Sequence, residues 1–292
     1  MLEKIYFITE DNVKLVGLLN KVLSSDEVII SVHGFSSNCL TEREDIFSKQ
    51  ASKNNISYFT FNNRGHDFMS RMNKFEKKKY IQGSCFEDIF DSYYDICAAI
   101  KEMQNLGYTK IHLQGHSLGC TKIVYTYNKL KQSNKMQILN SVKSIILLSL
   151  VDIVGIQKYS LKDKYDEYLN YAVDQEKQNN LDNLMPYKDL ELPMSVKTYL
   201  RYFRDNEDIN FARYSDINYE YEKLNNINIP LFIRWGNINE MIIQNADDLV
   251  LMLKSKIKNK KLDIGYIDNA NHNYFNKEKI LADEINLFIK KI

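Results

Sequence analysis

Six short runs rich in apolar residues are spaced along the chain: Val28-Ile29-Ile30-Ser31-Val32, Ser57–Phe61, Lys110–Gln114, Ser144–Leu148, Pro230–Trp235 and Leu262–Ile267. The first has no polar face at all. A strand open to water on one side alternates apolar and polar residues, so runs of this kind belong to strands covered on both sides, as in a parallel sheet. Helical patterns fill the intervals at 42–53, 86–105, 118–131, 245–257 and 277–291. In the second of these, Phe86, Ile89, Phe90, Tyr93, Ile96, Ile100 and Met103 recur at three- and four-residue steps. The alternation predicts an α/β chain whose mostly parallel central sheet carries helices on both faces. Residues 4–9 and 13–19, around Glu10-Asp11-Asn12, predict an antiparallel pair ahead of the first buried strand.

One interval breaks the rhythm. Residues 153–228 hold no convincing buried strand and contain 10 of the 20 tyrosines. A stretch of that length is too long for a connection and too apolar for disorder. It is read as a helical cap inserted into a single core formed by 1–152 and 229–292. With only 3 Pro and 10 Gly in 292 residues, no linker divides the chain into further domains.

Composition narrows the function classes. A net charge of +1 supplies no field that would draw in nucleic acid or an anionic membrane. The N-terminal apolar run ends at Glu10-Asp11, and no stretch approaches the roughly 20 apolar residues of a membrane span. Cys39, Cys85, Cys97 and Cys120 lack metal or disulfide spacing and read as reduced thiols of a cytoplasmic protein. The five histidines (33, 66, 112, 116 and 272) include no zinc-site spacing, so no metal is expected.

The sharpest motif is Gly115-His116-Ser117-Leu118-Gly119, set between a predicted strand and a predicted helix. A nucleophilic serine needs a tight turn that lifts its hydroxyl clear of the sheet, and flanking glycines keep strand and helix from colliding there. With this motif and three others, the chain resembles the serine hydrolases of the α/β-hydrolase fold. His33-Gly34-Phe35 is similar to the loop that helps form the oxyanion hole in that superfamily. Asn63-Arg64-Gly65-His66-Asp67 is similar to its R-G-x-G loop, with Asp67 in place of the second glycine. Asn271-His272-Asn273, after the last strand, is similar to the loop carrying the catalytic histidine.

A serine at neutral pH needs a neighbouring base. The chain order in this fold is nucleophile, acid, histidine, and only His272 lies downstream of Ser117. The resemblance implies that His33 supports the oxyanion loop and that His116 packs beneath the nucleophile. His112, within a buried run, reads as a hydrogen-bonded core residue. The acid departs from the family pattern: where Gly-Asp-x-Asp is usual, this chain has Gly236-Asn237-Ile238-Asn239-Glu240, which puts an amide at the usual carboxylate position. Two carboxylates remain as candidates, Glu240 one residue on and Asp152 after the Ser144–Leu148 strand, with Glu240 requiring the smaller departure. The oxyanion donors are assigned to the backbone N–H groups of Phe35 and Leu118.

The expected activity is that of a serine hydrolase cleaving a small-molecule carboxylic ester or thioester through an acyl-Ser117 intermediate. Chemistry whose nucleophile, base and oxyanion donors are all protein groups implies no organic cofactor either. An acyltransferase or an amidase or peptidase would use the same residues. A non-catalytic binding protein of the same fold is the alternative that Asn239 raises. Tyr159, Tyr165, Tyr168, Tyr171, Tyr199 and Tyr202 suggest either an aromatic wall around an acyl or aryl group or packing between cap and core. The sequence carries no signal of oligomeric state.

Overall fold

The computed structural model describes residues 1–75 and 77–292. In chain order it begins with β1 (Leu2–Ile8), β2 (Val13–Asn20), β3 (Glu27–Val32), α1 (Glu42–Lys53) and β4 (Ser57–Asn62). A hairpin, β5 (Ser70–Lys74) and β6 (Lys77–Gln82), precedes α2 (Ser92–Asn105), β7 (Lys110–His116), α3 (Leu118–Gln132), the single turn α4 (Met136–Leu139) and β8 (Val142–Leu148). Then come α5 (Ile153–Leu161), α6 (Lys164–Lys177), α7 (Val196–Phe203) and the short α8 (Glu222–Asn225). The chain closes with β9 (Leu231–Gly236), α9 (Ala246–Lys256), β10 (Leu262–Ile267) and α10 (Glu278–Lys290).

The six apolar runs become six adjacent parallel strands, in the order β10-β9-β8-β7-β3-β4. β2 continues the sheet antiparallel to β4 and also pairs with β1, as the alternating N-terminal pattern requires. The absence of a polar face now has its cause. Ile29, Tyr58, Ile146, Leu148 and Phe232 point to a layer with α1 and α10, through Phe47, Ala51, Leu281 and Ile285. Their chain neighbours Val28, Ile30, Phe59, Ile145, Leu147, Leu231 and Ile233 point the other way, into the core shared with α2 and α3. The central strands are therefore buried on both faces, whereas β10, at the edge, buries only Ile264 and Ile267, and the carboxyl ends of all six open on one side of the sheet, where connecting loops gather.

Two features differ from expectation. The helix expected over 86–105 starts only at Ser92, after a 3₁₀ turn at Ile89–Asp91 whose first free N–H, that of Phe90, is accepted by the Asp88 carboxylate at 3.2 Å. The β5–β6 hairpin was not anticipated. Its lysine-rich sequence carries little apolar alternation, and β5 has no buried residue, so tertiary pairing rather than local pattern makes these strands.

The 153–228 interval is helical where it is regular, with no strand among the described residues beyond one isolated bridge between Leu184 and Ser195. α7 is docked on the segment before the 3₁₀ turn: the Ser195 N–H and the Thr198 hydroxyl donate to the Cys85 carbonyl, at 2.7 and 3.1 Å, and the same hydroxyl lies 3.0 Å from the Glu87 carbonyl. Among the described residues no helix is long and apolar enough to cross a membrane.

All four cysteines are buried free thiols. Burial pushes the Cys39 thiol up to about 11 and the Cys97 thiol up to about 12, and it raises Cys85 and Cys120 as well. Thiolate is the reactive form. The native protein should therefore react negligibly with a thiol-directed disulfide reagent at pH 7.4 and release four equivalents once unfolded, a ratio read directly by absorbance.

Candidate active site

Ser117 stands at the β7–α3 junction with φ 54° and ψ −123°, a backbone conformation that side chains rarely adopt. Its neighbours explain the glycines around it. A Cβ on Gly119 would lie 2.1 Å from the Val32 carbonyl oxygen, and one on Gly115 would lie 2.6 Å from the backbone of Gly119. The helix thus starts almost in contact with β3 and β7, which forces the reversal that puts Ser117 on the edge of the sheet.

The loop after β3 presses against this turn. A Cβ on Gly34 would come 3.0 Å from the Ser117 Cβ and 3.5 Å from the Leu118 nitrogen. His33 fixes that loop: its Nε2 accepts the Asn63 N–H at 3.2 Å, so Nδ1 carries the proton and donates to the Gly34 carbonyl at 2.9 Å. Burial, together with the Lys122 charge, lowers the His33 pKa well below the usual range and keeps the ring neutral, as this pattern needs. In a trans peptide the N–H points opposite the C=O. Tying down the Gly34 carbonyl therefore turns the Phe35 N–H the other way. Among the described residues neither the Phe35 nor the Leu118 N–H has a protein acceptor.

His272 lies in the loop between β10 and α10, and Glu240 in the loop after β9. Glu240 Oε1 is hydrogen-bonded to the Nδ1 of His272, and the Met241 N–H also donates to it at 2.9 Å. The other carboxylate oxygen accepts the Gly236 N–H at 2.8 Å and the Ser149 hydroxyl at 2.7 Å. The Glu240 side chain is 3% exposed and that of His272 15%. Burial by itself raises the Glu240 pKa, but the His272 hydrogen bond and charge, with the Gly236 and Ser149 donors, outweigh it and hold the carboxyl below its usual value. A carboxylate depressed in the folded state stabilises the fold above the ordinary glutamate range, near about 4.3, and that contribution is lost as pH falls through the folded value. The melting temperature of the wild type should accordingly fall more steeply between pH 6 and pH 3 than that of Glu240→Gln.

Asp152 is placed elsewhere. Its carboxylate caps α5, accepting the Gly155 N–H at 2.8 Å and the Tyr214 N–H at 3.1 Å, and so is already used where 153–228 begins and folds back. Asn239 does not stand in for an acid either. It is exposed, with φ 46°, and this left-handed turn, which asparagine tolerates, swings the next residue inward.

Three supporting residues escaped the sequence reading or were given a vaguer part. Ser149, also at positive φ, bonds the Glu240 carboxylate and the Tyr274 hydroxyl at 2.9 Å, and lies 3.2 Å from the His272 carbonyl. His116 donates Nε2–H to the same carbonyl at 2.7 Å, and its ring centroid lies 5.0 Å from that of His272. Tyr274 donates to the Arg234 carbonyl at 2.8 Å. His112 bonds Ser144 and Glu27 in the core, and His66 bonds the Asn63 carbonyl.

Ser117 and His272 line one cleft of about 320 Å³, with no direct hydrogen bond between the Ser117 hydroxyl and the imidazole among the described residues. Gly34, Phe35 and Leu118 line it from the core, and Ile153, Ile156, Leu190, Met194, Tyr202 and Phe203 from the inserted segment form a mostly apolar wall that also carries Gln157, Ser160, Asp189 and Glu191. Of the tyrosines suggested for that wall, Tyr202 alone lines the cleft. Tyr165, Tyr168 and Tyr199 are buried in packing, while Tyr159 and Tyr171 face solvent. No lysine or arginine among the described residues lines the cleft. Among the described residues no three His, Cys, Asp or Glu side chains are gathered as a metal site would require.

No family profile matches the sequence, and no curated protein matches it. Solved structures do. The esterase Est1E from Butyrivibrio proteoclasticus, solved with ferulic acid bound, is 15% identical with a TM-score of 0.67, covering 98% of each chain. DcsB in complex with its substrate analogue is 11% identical with a TM-score of 0.72, covering 100% of this chain and 99% of its own. A monoglyceride lipase from Saccharomyces cerevisiae is 13% identical with a TM-score of 0.64, covering 98% of this chain and 94% of its own. At such identities the likeness is one of fold.

Proposed function

The chain has the α/β-hydrolase fold, and from that premise we propose that it is a serine hydrolase cleaving a small-molecule carboxylic ester or thioester. One observation carries the reading: an imidazole held at Nδ1 by a buried carboxylate lines the same cleft as a serine on a strained strand-to-helix turn. With Nδ1–H given to Glu240, the lone pair of His272 lies on Nε2, the form required of a general base.

In this mechanism the Ser117 hydroxyl attacks the substrate carbonyl while His272 Nε2 takes its proton. Glu240 stabilises the imidazolium that forms. The Phe35 and Leu118 N–H groups receive the oxyanion, Leu118 at the positive end of α3. The leaving alcohol or thiol departs with the proton from His272, and water, activated by the same base, releases the acid from Ser117. Residues 153–228 act as a cap over the core of 1–152 and 229–292, supplying an apolar wall for the acyl or aryl group. The named activities of the structural relatives, two of them an esterase and a lipase, agree with ester cleavage.

The test is reaction of the purified protein with an alkyl fluorophosphonate, read by intact mass, with p-nitrophenyl esters of increasing chain length assayed in parallel. Stoichiometric labelling and ester turnover are expected. A folded wild-type protein that neither labels nor hydrolyses any ester would overturn the reading.

A further inference from the structure

Behind the cleft runs a buried polar chain that the proposed mechanism does not use. Lys122, one turn into α3, and Glu87, ahead of the 3₁₀ turn, form an ion pair at 2.5 Å with side chains 0% and 1% exposed. The Tyr202 hydroxyl, at the end of α7, donates to the second oxygen of the same carboxylate. Lys122 Nζ also donates to Asn63 Oδ1 at 3.2 Å, and that oxygen accepts the Gly65 N–H at 2.9 Å. The Asn63 N–H in turn donates to His33 Nε2. From His33 the path ends at the Gly34–Phe35 peptide, whose orientation His33 Nδ1–H sets.

Burying a lysine and a glutamate costs several kcal/mol per ion before their attraction is counted, and well-packed apolar residues would serve stability as well. What the pair supplies beyond stability is direction: each charge fixes a neighbour at a set place. Glu87 takes the only hydroxyl that the inserted segment's cleft-lining tyrosine offers. Its carboxylate sits so close to Gly65 that a Cβ there would lie 2.1 Å from Oε1, which holds the Asn63–Gly65 loop against it. The Tyr202 ring itself packs edge-on against Phe35, with centroids 5.8 Å apart. The inserted segment and the oxyanion loop are thus joined twice, by ring contact and by the hydrogen-bonded chain.

We propose that Tyr202, Glu87, Lys122 and Asn63 are positioning residues that couple docking of α7 to the aim of the Phe35 N–H, so that the oxyanion site is fully formed only when the inserted segment is seated. The proposal rests on the serine hydrolase reading for its catalytic consequence. Its structural consequence stands apart from turnover. Loss of an oxyanion donor lowers kcat by about 10²–10³-fold, and a donor left in place but loosened should lower it by about tenfold.

The experiment compares wild type with Tyr202→Phe, which removes only the hydroxyl, and with the double variant Glu87→Gln/Lys122→Met, which removes both charges together and leaves neither unpaired. Each is labelled with ¹⁵N-phenylalanine and ¹⁵N-histidine. The Phe35 amide and His33 ring signals should move in both variants, kcat should fall about tenfold with KM unchanged, and affinity for an alkylboronic acid, which forms a tetrahedral adduct at the serine, should fall by the same factor. Folded variants with wild-type Phe35 and His33 signals, or a loss confined to KM, would overturn the coupling. A wild type that hydrolyses no ester overturns the functional reading instead, and the amide and ring signals then decide the coupling alone.

Discussion

Ser117→Ala should abolish fluorophosphonate labelling and lower kcat/KM for esters by about 10⁴-fold or more, without unfolding the protein. The hydroxyl is the proposed nucleophile: the four cysteines are absent from the cleft's lining, and neither of the other serines that line it, Ser37 and Ser160, stands on a strand-to-helix turn at positive φ. The fold should survive because the Ser117 N–H to Leu148 carbonyl bond, at 2.8 Å, belongs to the backbone. The turn also offers a sharper control. With φ at 54°, Ser117 sits where glycine is at ease, so Ser117→Gly should melt at a higher temperature than Ser117→Ala, by about 1 kcal/mol of relieved strain, while being equally inactive. Residual labelling in Ser117→Ala would mean that a different nucleophile reacts and would sink the assignment.

Glu240→Gln should lower kcat by about 10³–10⁴-fold. Both oxygens of this carboxylate already face donors: Oε1 meets the His272 Nδ1 and the Met241 N–H, and Oε2 meets the Gly236 N–H and the Ser149 hydroxyl. The NH₂ of glutamine therefore confronts a donor whichever way it is turned. The cheapest escape is for His272 to give up its Nδ1 proton and carry it on Nε2, which leaves no lone pair for Ser117. Asp152→Ala is the matched control. It removes the cap of α5 and the partner of the Tyr214 N–H, so it should cost about 1–3 kcal/mol of stability and leave kcat near wild type. The opposite pattern, with Asp152→Ala inactive and Glu240→Gln active, would transfer the acid to Asp152. Urea unfolding and steady-state kinetics on the two variants separate these outcomes.

Much of the fold is legible in the chain because burial on both faces leaves a direct mark. The six apolar runs became the six parallel strands, since the central ones lie between two helical layers that bury both of their faces. The β5–β6 hairpin left no such mark because β5 buries none of its residues, and α2 starts late because Glu87 and Asp88 are engaged in a buried ion pair and a cap before the helix begins.

At the site the division follows the range of the forces involved. Ser117 was legible because its requirement is local: a reversal between strand and helix at a backbone angle few residues accept, with glycines where a Cβ would strike Val32 or Gly119 itself. His272 was legible because it is the only histidine downstream of Ser117 in the chain. The choice between Glu240 and Asp152 was left to the tertiary structure. It turns on the left-handed bend at Asn239, on β8 lying beside β9 so that Ser149 meets Glu240, and on α5 claiming the Asp152 carboxylate for its own first turn. Strand and turn preferences are written in neighbouring residues. Which of two carboxylates reaches an imidazole depends on a few degrees of loop direction, set by contacts between residues 91 and 123 positions apart.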